Sequence, residues 1–185
     1  MLKKLKFVFF PAALLFCVVS FTGAYFSDSV TTSGNTFTAG VSSDTDVIIN
    51  EIFANPSGAE NAPMPGGEWV ELYNTGDWSI DVNGWYLYDS YDNHALPVNA
   101  ANVAGGSTLI PSGGYLVVFR NGDADFSLNN DDDTVRLFND QIGLGTLIDS
   151  QSYINPDEDK TWSGMPNGLG AWSDNHTPTP GGANA

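Results

Sequence analysis

The amino-acid sequence predicts an all-β fold, a two-sheet sandwich, on three observations. Among 185 residues there are 20 Gly, 10 Pro and 12% aromatic side chains but only 15% charged ones, the usage of strands joined by turns. Beyond residue 46 the apolar residues fall in short runs or alternate with a period of two. No segment after the N-terminal stretch keeps the 3.6-residue period of a helix. The length suits a single domain.

Residues 1–24 read as an export signal. Lys3, Lys4 and Lys6 precede an apolar run from Phe7 to Phe21, which is too short and too interrupted by Pro11 for a stable membrane anchor. Thr22-Gly23-Ala24 places small side chains where a signal peptidase needs them, so cleavage is expected after Ala24, with the mature chain starting at Tyr25. An uncleaved anchor is the alternative. Cys17 is the only cysteine and leaves with the signal, so the exported domain has neither disulfide nor cysteine-based zinc site. Loss of the three lysines leaves three basic residues against 22 acidic ones, a formal charge of −19. That field repels phosphate backbones and argues against nucleic acid as a partner.

Residues 25–46 are rich in Ser, Thr, Gly and Asp, the composition of a linker. The domain is expected over residues 47–185. Val47–Phe53 is a short apolar run closed by the turn residues Asn55-Pro56-Ser57-Gly58. Glu68–Asn74 alternates, with Val70, Leu72 and Asn74 on one face and Trp69, Glu71 and Tyr73 on the other. Trp78–Ser90 reads as a longer strand whose parity changes between Val82 and Trp85, so a bulge is expected at Asn83-Gly84. Further strands are expected at Ser107–Ile110, Gly114–Arg120, Thr134–Asn139 and Thr146–Tyr153. Seven strands in all bury their inner faces most simply as two packed sheets.

Two resemblances accompany these patterns. Tyr25-Phe26-Ser27-Asp28 and Ser33-Gly34-Asn35-Thr36-Phe37-Thr38-Ala39-Gly40 resemble the mature start of TasA/camelysin-type proteins, which implies a dedicated export route and a surface location. A plain polar tether is the alternative. Asn50-Glu51-Ile52, Glu68-Trp69-Val70-Glu71-Leu72-Tyr73-Asn74, Gly84-Trp85-Tyr86-Leu87, Leu109-Ile110-Pro111, Asp133-Thr134-Val135-Arg136-Leu137 and Pro178-Thr179-Pro180-Gly181 occur in the order of the lamin tail domain family, which residues 47–185 resemble. Gln151 departs from that pattern, and the Ile142–Gly145 loop is longer, so the last hairpin is expected to be shifted or more exposed. The resemblance implies an immunoglobulin-like sandwich used for binding or display.

Chemistry is sparse. Glu51 and Glu71 lie near the middles of consecutive strands, where two carboxylates can share a proton, but bonding to backbone amides is the better expectation. His94 and His176 lack metal-ligand spacing, and neither has an evident carboxylate orienter. No catalytic residue and no resident cofactor are expected. Calcium is the one cofactor under consideration: Asp123, Asp125, Asp131 and Asp133 are its candidates, in loops without EF-hand spacing, against solvated turn carboxylates. Trp78, Tyr88, Tyr91, Trp162 and Trp172 are candidates for a ligand platform, against core packing.

The functional expectation is an exported, non-catalytic module with a structural, adhesive or display role at the cell surface or in extracellular matrix. The alternative is a ligand-binding module for a glycan or protein, calcium-assisted in one version. A hydrolase accessory protein is a distant third. The partners expected are signal peptidase during export and then a cell-surface polymer or protein, with no stable membrane anchor after processing.

Overall fold

The structure is a computed structural model that describes residues 44–185. The export signal, its cleavage at Ala24 and the segment resembling TasA-type proteins lie outside the described residues. Eleven strands run through the described residues, with two short 3-10 turns at Asp44–Asp46 and Ala104–Gly106. They are β1 (Val47–Phe53), β2 (Trp69–Asn74), β3 (Ile80–Asp81), β4 (Tyr86–Tyr88), β5 (Ala95–Pro97), β6 (Leu109–Ile110), β7 (Tyr115–Phe119), β8 (Asp132–Phe138), β9 (Leu147–Ile154), β10 (Thr161–Met165) and β11 (Ala171–His176). One sheet has the order β11-β10-β1-β2-β7 and a second β5-β4-β8-β9, while β3 and β6 pair alone. All of the pairings are antiparallel.

The two larger sheets share one core. Ile49, Ile52, Val70, Leu72 and Val118 from the first meet Leu87, Leu96, Val135 and Leu137 from the second, with Phe126 and Leu128 filling between them. The fold is an all-β, immunoglobulin-like sandwich, as expected. The alternation in β2 has the expected inner face, Val70 and Leu72. Its other face is covered too: Trp69 joins Val117, Phe119, Phe53 and Met64 in a second, smaller cluster, with Phe53 and Trp69 stacked at 5.4 Å.

Three expectations are corrected. The stretch from Trp78 to Ser90 is no single bulged strand. Trp85 N–H returns to Val82 C=O in a tight turn at Asn83-Gly84, with Gly84 at φ +81°. The chain therefore leaves its pairing with β6 and joins β5 and β8 instead. The turn reverses parity as a bulge would, so Ile80, Val82, Trp85 and Leu87 are all buried. Second, β5, β10 and β11 were not expected. Their Pro, Ser, Gly and Asp residues read locally as loops, and only pairing with β4 and β1 draws them into sheets. Third, β1 carries an unexpected bulge. Ile49 faces Leu72 while Glu51 faces Glu71, so Asn50 is the extra residue.

The β8–β9 hairpin, where Gln151 and the longer loop departed from the family pattern, has a register shift between Leu137 and Phe138. Leu144 and Leu147 at its end are exposed.

Candidate functional site

Asn50 and Glu51 reach the outer side of the first sheet because the bulge turns both away from the core that Ile49 and Ile52 enter. There Glu51 and Glu71 stand opposite one another on β1 and β2, both fully buried. The C-terminal segment closes over them. Thr179 donates its N–H to both Glu51 oxygens at 3.2 Å and its hydroxyl at 3.1 Å, while Thr161 Oγ1 on β10 donates at 2.6 Å. Glu71 accepts from Gly181 N–H and, at 2.7 Å, from Asn50 Nδ2. Asn184 fastens the end, donating to the carbonyls of Asn50 and Gly164 at 2.9 Å each. Residues 179–184 are thus a clasp whose donors meet two buried carboxylates. The expectation that backbone amides take these carboxylates agrees with this geometry.

A third buried carboxylate, Glu68, accepts from Arg120 Nη1 at 2.9 Å and from Leu128 N–H at 3.2 Å. Desolvation pushes Glu68 up to about 8 against the pull of Leu128 and Arg120. It pushes Glu71 up to about 7, with the charge of Glu51 adding to the rise and the Gly181 and Asn50 donors opposing it. The unfolded chain holds both carboxyls near pH 4.3. Their contribution to stability is therefore fully present below that pH and is lost as pH rises through about 7 and then 8. The urea midpoint should fall between pH 5 and pH 9 at constant ionic strength. Each proton that the folded chain keeps after the unfolded chain has lost it lowers stability by about 1.4 kcal/mol per pH unit, so the two groups together should lower the midpoint on the order of a few M urea. A midpoint that is flat or rises with pH contradicts the assignment.

The acidic loop candidates take different places. Asp133 is buried, and its Oδ1 accepts from Ser90 N–H and Oγ and from Thr134 N–H, while Oδ2 accepts from Asn129 N–H at 3.1 Å. Asp123 Oδ1 accepts from Asp125 and Phe126 N–H at 3.0 and 2.9 Å, closing a turn. Asp125 and Asp131 are exposed. Among the described residues no three His, Cys, Asp or Glu side chains gather as a metal site.

The histidines differ from expectation in one respect. Asp89, also buried, lies 2.8 Å from His94 Nδ1 and so orients that ring. The five sequence separations between them gave no signal, because the contact is made across the turn that follows β4. The nearby Ser90 Oγ donates to Asp133, and His176 Nε2 sits 2.8 Å from Ser173 Oγ on β11. The aromatic candidates do not assemble: Tyr88 is buried against Phe138, Trp162 and Trp172 pack on the core, and only Trp78 and Tyr91 are exposed.

Sequence reasoning missed a cleft of about 300 Å³ between the segment after β5 and the turn after β7, lined by Leu96, Pro97, Ala101, Asn102, Arg120 and Asp123. Its turn is Arg120-Asn121-Gly122-Asp123, in which Asp123 N–H bonds to Arg120 C=O and Asn121 and Gly122 have φ of +48° and +82°. The Asn-Gly pair was the available signal, since both positions need a left-handed backbone.

No curated protein and no solved structure matches the chain. Residues 40–155 match the family described as Lamin Tail Domain, a span that covers β1 to β9 and more than half of the chain, and leaves β10, β11 and the clasp beyond it. The chain belongs to the lamin tail domain family, whose members are non-enzymatic, immunoglobulin-like modules.

Proposed function

We propose that the protein is an exported, non-catalytic module with a structural, adhesive or display role at the cell surface or in extracellular matrix. The observation that carries this reading is the state of its buried carboxylates. Both oxygens of Glu51, Glu68, Glu71, Asp89 and Asp133 accept hydrogen bonds from the fold itself. Groups that an enzyme keeps available for acid–base work are here holding loops and strands together. The basic and apolar N-terminus, the small residues before Tyr25 and the resemblance of residues 25–40 to TasA/camelysin-type proteins support export.

Cells expressing the full chain should release or display a protein that begins at Tyr25. N-terminal sequencing of the extracellular and membrane fractions checks this. A mature start several residues away, or full-length protein retained in the membrane, overturns the export route.

A second reading, a ligand-binding module, is favoured by the cleft between Ala101 and Asp123. It is an open cleft that joins apolar surface to a few polar groups, a combination found in small-molecule sites.

A further inference from the structure

We propose that this cleft binds a neutral, polyhydroxylated ligand, a sugar unit of a cell-surface polymer, an inference that rests on the binding-module reading. Its walls are held before any ligand arrives. Asn102 Nδ2 donates to Pro97 C=O and its Oδ1 accepts from Asn99 N–H, both at 3.0 Å. Asn121 Nδ2 donates to Ala101 C=O at 2.9 Å, tying one wall to the other. Little ordering is left to oppose binding.

The two charged side chains of the lining each keep one atom free of hydrogen bonds among the described residues. Arg120 uses Nε on Asp123 C=O and Nη1 on Glu68 and Ser127, which leaves Nη2 as a donor without a partner among the described residues. Asp123 uses Oδ1 within its turn and leaves Oδ2 as an acceptor. A donor and an acceptor within one small cleft suit a hydroxyl group, which accepts from one and donates to the other.

Charge narrows the class further. The chain's net charge of −16 opposes an anion there, and Arg120 Nη1 is already bonded to Glu68 and Ser127. A cation would meet Arg120 itself. The apolar surface of Pro97 and Ala101 suits the C–H face of a pyranose ring, and about 300 Å³ lies at the small end of small-molecule sites, which run from about 300 to 1,000 Å³.

The test is an NMR titration of the isotope-labelled exported protein. The neutral probes are methyl glycosides of glucose, galactose, mannose and N-acetylglucosamine. Glucuronate serves as an anionic probe and a capped dipeptide amide as a non-sugar probe. A neutral glycoside should shift the amides of Ala101, Gly122 and Asp123. Asp123→Asn, which keeps Oδ1 for the turn, should weaken binding at least tenfold, and Ala101→Trp, which fills the cleft, should abolish it. Both variants should keep the wild-type melting temperature. Shifts of these amides by glucuronate or the dipeptide alone overturn the sugar class but leave the binding-module reading standing. Shifts confined to another surface, or unchanged by both substitutions, overturn the cleft as the site. Silence with every probe overturns this proposal together with the binding-module reading.

Discussion

Deleting residues 177–185 should destabilise the domain by about 3–5 kcal/mol, the scale on which loss of its partners uncovers a buried charge. The cut removes the N–H groups of Thr179 and Gly181 from Glu51 and Glu71, and the Asn184 amide from Asn50 and Gly164. Against a total stability of about 5–15 kcal/mol, a loss of that size removes a large fraction of what holds the domain folded. Water entering beneath the missing clasp recovers part of the solvation, which keeps the figure at this level although two carboxylates are affected. Urea unfolding followed by tryptophan fluorescence gives the measurement. The single change Asn184→Ala should cost about 1–3 kcal/mol, because two carbonyls lose their donor and the carboxylates do not. An unchanged midpoint in the truncated protein would show that the clasp is decoration on a fold already complete at β11.

Trp85→Ala should cost about 3–5 kcal/mol, the range for removing a large aromatic side chain from a packed core. Trp85 is 6% exposed and sits in the central cluster, just past the turn where the chain passes from β3 into β4. Its backbone is tied in as well, since Val98 N–H donates to Trp85 C=O at 2.7 Å. The companion change is Trp78→Ala. At 52% exposure Trp78 should shift stability by no more than about 0.5 kcal/mol, as surface substitutions usually do. The contrast between two tryptophans seven positions apart, measured by urea midpoint, tests the turn at Gly84. Equal effects would mean that the chain does not reverse its parity there.

The two predictions draw on different kinds of information. The burial of Trp85 was legible in the sequence, because Ile80 and Val82 on one parity and Trp85 and Leu87 on the other require a break between them, whatever its form. Whether the break was a bulge or a turn depended on which strands waited on either side: the stretch that holds β6 was legible, while β5, three residues ending in a proline, was not. The same holds for the cleft. Asn121-Gly122 marked a turn, but the facing wall comes from residues 96–102, which nothing local connects to it.

Local pattern is enough where one side of the chain must be apolar and the other need not be. Val135 and Leu137 alternate with the half-buried Thr134, Arg136 and Phe138, and a strand's two-residue period then decides both the element and its buried face. Acidity and the all-β class are of the same kind, since each follows from composition, and the proposal of export rests likewise on a run of adjacent residues. The buried polar residues obey no such rule. Glu51 enters a dry site only because Asn50 is bulged, Thr161 and Ser163 lie beside it, and Thr179 arrives from 128 residues away. Asp89 and His94, and Glu68 with Arg120 and Leu128, are likewise chosen by contact. A carboxylate is tolerated in the interior only when donors surround it, and those donors come from strands and loops that the folded chain alone brings together.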